Sequence, residues 1–134
     1  ILCSDWSSDV CSSDLGGYQV SNNSMYADSG RGYTVAGEIK PDFVAPAVNV
    51  YGPGLRGNYV TYTGTSAAAA VTAGAVAQIM QWALVQQNDP VMSNAAIKNM
   101  LIRGAKRSED RGYPNREWGY GALDVYQAFE YLRL

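Results

Sequence analysis

The sequence predicts an α/β chain, with short extended segments in its first half and helices in its second. Three observations carry that reading. A β-branched and aromatic run, Tyr59-Val60-Thr61-Tyr62-Thr63, has strand character. A long helix built on small residues follows it, from Ser66 to about Gln86. Cap and stop residues then mark two shorter helices near the C-terminus. The length of 134 residues fits one domain, and 47% hydrophobic with 16% charged residues fits a globular chain rather than a disordered one. A net charge of −2 supplies no basic footprint for nucleic acid and no polybasic patch for a membrane. The longest small or apolar stretch, Ala67–Ile79, is interrupted by Thr72, Gly74 and Gln78 and reads as too short to span a bilayer.

Taken in order, residues 1–15 read ILCSDWSSDVCSSDL, with Ser-Asp repeated three times and neither helical nor strand periodicity. The segment has no basic start or continuous apolar centre of the kind a signal peptide needs. Asp9-Val10-Cys11-Ser12-Ser13-Asp14-Leu15 resembles a frame translation of a common short-read sequencing adapter. Residues 1–15 are therefore expected to be an adapter-derived, non-native and disordered leader, and both cysteines, Cys3 and Cys11, fall inside it. The remainder, 16–134, is expected to be the folded part.

Gly16 to Ala36 is polar and glycine-rich, suited to loops and short strands. Pro41 and Pro46 flank Phe43-Val44-Ala45 and exclude a helix interior there. Gly52-Pro53-Gly54 reads as a turn. The small-residue helix ends before Asp89-Pro90. Ser93 is an expected N-cap, with Ile97, Met100 and Leu101 as the apolar stripe, Lys98 and Arg103 on the solvated side and Gly104 as a C′ stop. Arg107 to Trp118 is a charged loop in which Asn115-Arg116-Glu117-Trp118 reads as a packed corner. Asp124 caps a last helix whose Val125, Ala128, Phe129 and Leu132 are expected to face inward.

The chemistry concentrates at Gly64-Thr65-Ser66-Ala67-Ala68-Ala69-Ala70-Val71-Thr72-Ala73-Gly74. A small-residue run at a helix start has a plain packing explanation, because it lets the helix approach a neighbour closely. Its context adds a second one. A serine at a helix start lies beside unpaired backbone N–H groups, which stabilise negative charge forming next to them. Gly64 allows a sharp turn there without a Cβ clash. Lys40-Pro41-Asp42-Phe43-Val44-Ala45-Pro46 stands upstream and Gly119-Tyr120-Gly121-Ala122-Leu123-Asp124-Val125 downstream.

These three blocks, in this order and spacing, resemble the C-terminal part of the subtilisin-like serine peptidases, the subtilases, over about residues 17 to 134. The resemblance implies the C-terminal portion of a three-layer α/β/α catalytic domain with a mainly parallel sheet. It implies a serine endopeptidase acting on peptide or protein substrates, with Ser66 as nucleophile and its N–H as one oxyanion donor. Gly64 and Thr65 support the motif. Thr65 is read either as a hydroxyl that holds the turn or as an ordinary strand-end residue. The Ala-rich signature and Tyr113-Pro114-Asn115-Arg116-Glu117-Trp118-Gly119 look like a branch from anaerobic Gram-positive bacteria that includes spore-germination proteases.

This sequence departs from the family signature in three places. Ala70 replaces its proline, Val71 a frequent histidine that is not the catalytic base, and Ala47 the glycine after Ala45-Pro46. Alanine at 47 would be strained if the backbone there had positive φ. In the family, the segment at Tyr62 and Thr63 borders the leaving-group side of the cleft. Asp42 aligns with an aspartate that lies near a weak cation site in some relatives, but one carboxylate does not make a calcium site. No cofactor and no metal are therefore expected, nor a nucleic-acid or membrane partner.

The sequence holds no histidine, and no aspartate with the family's surrounding motif. A serine hydroxyl needs a base to take its proton, so the isolated chain is expected to be inactive. With the strands that would cover it absent, the small-residue face Ala67, Ala68, Thr72 and Ala75 is expected to lie partly uncovered. The alternative reading is a catalytically dead subtilase-like scaffold or binding protein.

Overall fold

A computed structural model of the chain describes residues 14–132. Cys3, Cys11 and most of the Ser-Asp leader lie outside the described residues. Asp14 and Leu15, assigned to the leader above, belong to the fold. Leu15 opens the first strand and packs against the main core, and the Asp14 carbonyl accepts the Asp42 N–H at 2.9 Å.

Strand β1 (Leu15–Gln19) pairs in parallel with β5 (Phe43–Pro46), in the register Leu15 to Phe43 through Tyr18 to Pro46. Phe43-Val44-Ala45 is apolar without alternation because both faces of this strand are covered, and all three residues are buried. On the far side of β5 the chain returns at Ala122. Leu123 N–H donates to the Val44 carbonyl at 2.7 Å and Val44 N–H to the Gly121 carbonyl at 3.0 Å, extending the parallel ladder by one bridge. The outer edge of β1 is closed locally. β2 (Ser24–Met25) pairs with it antiparallel, and Gly17 N–H donates to the buried Ser29 Oγ at 3.0 Å. Two antiparallel hairpins stand outside this sheet: β3 (Gly32–Tyr33) with β4 (Ile39–Lys40), and β6 (Val50–Pro53) with β7 (Tyr59–Tyr62).

Helix α1 (Thr65–Met80) packs on β5 and β1. It runs into a π-helical turn, Gln81–Val85, rather than continuing as α-helix to Gln86. The two together form a 21-residue helix, longer than the Ala67–Ile79 stretch, whose most apolar 18-residue window has mean hydropathy 1.5 and which by length and composition alone is enough to cross a bilayer. Within the fold it serves as a core helix. Ala68, Thr72, Val76 and Ile79 are each at most 4% exposed, and Thr72 Oγ1 satisfies itself by donating to the Ala68 carbonyl at 2.9 Å.

The face expected to be uncovered is therefore the buried one. Ala67, Ala68, Thr72 and Ala75 lie against the sheet, and the opposite face, with Ala69, Ala70, Ala73, Gly74 and Ala77, is exposed. β5 and β1 cover the first face because they are retained in this sequence. Burial of an aliphatic side chain contributes about 1.5–3 kcal/mol. The buried aliphatics line up on that side, in a core of Phe43, Val76, Ile79, Ile97, Met100, Leu101 and Ala128.

Helix α2 (Asn94–Gly104) begins as expected at Ser93, whose Oγ accepts the Ala96 N–H at 3.2 Å. Helix α3 (Val125–Glu130) is capped by Asp124, whose Oδ1 accepts the Gln127 N–H at 3.0 Å. Gly104 is the last helical residue of α2 rather than a left-handed stop beyond it, and it serves packing. A Cβ there would lie 2.4 Å from the Ala128 backbone nitrogen, so its absence lets α2 and α3 touch. In α3, Ala128 is fully buried and Phe129 packs on the core, but Leu132 lies beyond the helix end and is exposed.

Lys98, expected on the solvated side of α2, instead reaches back to the sheet, with Nζ 2.6 Å from Asp42 Oδ2. Lys40 bridges Asp42 at 3.1 Å and also pairs with Asp14. Burial works to lower the Lys40 pKa, but its hydrogen bonds to Asp14 and Asp42 outweigh that and raise it. Burial raises the Asp14 carboxyl. The corner at 115–118 is packed as expected: Trp118 is 4% exposed, lies 5.5 Å from the Tyr18 ring and carries the Arg111 guanidinium 4.4 Å over its face.

Candidate active site

The turn into α1 is built from the strand side. β5 ends at Pro46, and Ala47 then bonds in two directions. Its N–H donates to the Tyr18 carbonyl at 2.9 Å and its carbonyl accepts the Gly64 N–H at 2.7 Å. Ala47 is fully buried and lies among Ala45 and Ala68. Its φ is not positive, so the departure from glycine at this position carries no strain.

One residue pair further out, Asn49, with φ 53°, donates its N–H to Thr63 Oγ1 at 3.0 Å. The hydroxyl that ties the turn is thus that of Thr63. Among the described residues the Thr65 side chain forms no hydrogen bond, which favours reading it as a strand-end residue that opens the helix. The role of Thr63 was missed in the sequence. A β-branched residue ending a strand-like run gave no sign of it, because its partner is 14 positions away.

Gly64 is the helix N-cap with φ 142° and ψ 166°, a region that side chains adopt at a cost. Its carbonyl accepts the N–H groups of Ala67 at 3.0 Å and Ala68 at 3.3 Å, which starts the helical ladder. The N–H groups of Thr65 and Ser66, preceding that first bond, have no acceptor within the helix.

Ser66 is the second helical residue and is exposed. A Cβ built on Gly64 would stand 3.5 Å from Ser66 Oγ, so the hydroxyl lies over the glycine that makes the turn. The arrangement offers an accessible hydroxyl beside unpaired backbone donors at the positive end of a 16-residue helix. It offers no base: Ser66 Oγ has no hydrogen-bond partner among the described residues.

A profile of the Subtilase family matches residues 14–121. The chain belongs to the subtilase family. It is 35% identical over 96 residues to the membrane-bound transcription factor site-1 protease of Mus musculus, and 29% identical over 98 residues to the subtilisin-like protease SBT6.1 of Arabidopsis thaliana. Each match takes in 72% of this chain, which spans 9% of the length of those relatives.

Among solved structures, the CspB protease of Clostridium perfringens superposes with a TM-score of 0.83 at 37% identity, over 89% of this chain and 26% of its own. The prenylagaramide maturation protease PagA superposes with a TM-score of 0.68 at 20% identity, over 88% of this chain and 41% of its own, a likeness of fold alone. The fold is accordingly that of the subtilisin-like proteases, and the family is one of serine proteases.

Asp42 is engaged by Lys40 and Lys98. Among the described residues no group of three or more His, Cys, Asp or Glu is placed to hold a metal ion.

Proposed function

We propose that the parent protein is a serine endopeptidase and that Ser66 is its nucleophile. The observation that carries this reading is the exposed Ser66 hydroxyl at the N-terminus of α1, next to the unpaired N–H groups of the first turn and the positive-φ Gly64. Ser66 Oγ would attack the carbonyl carbon of a peptide bond while a base takes its proton. The carbonyl oxygen would gather charge facing the Ser66 N–H. The amine would leave with a proton and water would then hydrolyse the acyl-enzyme. The base must come from residues outside this sequence, which has no histidine.

The isolated chain is therefore expected to be inactive. Loss of the aspartate and histidine that act with such a serine costs on the order of a millionfold in kcat. The test is labelling with a fluorophosphonate probe. The isolated chain is expected to stay unlabelled. The parent protein is expected to label at Ser66 and to lose the label in Ser66→Ala. Rapid labelling of the isolated chain would sink the inactivity, and label surviving Ser66→Ala in the parent would sink the assignment. A parent protein that folds but takes no label would be a scaffold rather than an enzyme.

A further inference from the structure

A second feature lies away from the serine turn and shares no residue with it. Where α2 ends and α3 begins, an open cleft of about 360 Å³ is lined by Arg103, Lys106 and Arg107, from the end of α2 and the segment after it, and by Asp124, Gln127 and Tyr131, from α3 and its two caps. At Gly104, which also lines it, the two helices are in close contact, and Lys106 exchanges both backbone hydrogen bonds with Ala122, at 2.7 and 2.9 Å. Arg107 is held in place by two carbonyls, with Nε donating to Tyr120 at 2.9 Å and Nη2 to Ile102 at 3.1 Å.

None of the three cations forms an ion pair with a described residue. Three cations against one carboxylate give this cleft a positive balance in a chain of net charge −2. Basic residues at the end of α2 do complement the helix dipole, but that explains Arg103 and not a lining that continues through Lys106 and Arg107.

We propose that this cleft docks an acidic segment of a peptide. The mixed lining selects a peptide over a small free anion. Carboxylate side chains would meet Arg103, Lys106 and the remaining guanidinium donors of Arg107. Backbone N–H groups would meet the Gln127 side chain and the carboxylate of Asp124, whose Oδ1 already accepts one N–H. A phosphate ion would satisfy the cations and be repelled by the Asp124 carboxylate. The cleft volume, near the lower end of the range for ligand pockets, fits two or three residues of such a segment.

The experiment is fluorescence anisotropy with the full 134-residue chain and a labelled peptide of four glutamates flanked by glycines. A Gly-Ser peptide of equal length and inorganic phosphate serve as competitors. The acidic peptide is expected to bind in a salt-sensitive manner. Arg103→Gln with Lys106→Gln should weaken it roughly fivefold or more, and Arg56→Gln, which removes a positive charge on the β6–β7 hairpin away from the cleft, should leave it unchanged. A circular-dichroism melt checks that the double variant folds; if it does not, Lys106→Gln alone replaces it, since that backbone pairing needs no side chain. Three outcomes would overturn the proposal: no binding, an equal loss in Arg56→Gln, or displacement by phosphate at matched anion concentration.

Discussion

At the scale of single residues, Gly64 decides whether Ser66 is correctly presented. Its φ of 142° is tolerated by glycine, while a Cβ would be in ordinary contact with Ser66 Oγ at 3.5 Å, so the cost of a substitution there is backbone strain and not collision. Gly64→Ala is expected to destabilise the chain by about 1–3 kcal/mol, read as a lowered Tm, or else to rotate the turn and break the 2.7 Å bond from Gly64 N–H to Ala47. An unchanged Tm together with an unchanged amide shift at residue 64 would contradict this. The glycine, the serine and the helix they open were all legible in the sequence, because each depends on neighbours a few positions away. The supporting bonds were not. Thr63 and Ala47 act through partners 14 and 17 positions distant along the chain, and no local pattern reports such pairings.

At the scale of elements, local chemistry was again the readable part. Ser93 and Asp124 cap their helices as their types and positions implied. The π-helical turn Gln81–Val85 was hidden, since Gln-Trp-Ala-Leu-Val continues the helical composition without a breaker. Lys98 was hidden for another reason: its place on the helix wheel is polar, but two carboxylates of the strand region lie within reach of it. Gly104 looked like a stop signal and is in fact a contact. Gly104→Ala is expected to push α3 off α2, at a cost of about 1–3 kcal/mol, because the atoms it would meet, at 2.4 and 2.5 Å, belong to the Ala128 backbone and cannot rotate away. A denaturant midpoint equal to that of the parent sequence would show that the helices can part without cost.

For the whole molecule, α/β character was legible, but which face of α1 is covered was not, because that depends on how β1 and β5 assemble around it. Ionisation adds a global test. Burial, with the Asp124 charge adding to it, raises the Tyr18 phenol, and hydrogen bonds to two carboxylates raise Lys40. Each group thus contributes stability that is complete below about pH 10 and is lost as pH rises through its folded value. Tm is expected to fall above that pH. Tyr18→Phe, which keeps the ring against Trp118, should make the fall shallower; an identical slope would remove Tyr18 from the account. The hairpin of β6 and β7 has a consequence of another kind. Its two ends are clasped together where Asn49 meets Thr63 and Ala47 meets Gly64. Everything between them is a closed excursion from the sheet, returning to the point it left. Lengthening or shortening its tip, around Leu55, is therefore expected to leave the re-entry at Ser66, and with it the position of the hydroxyl, unchanged.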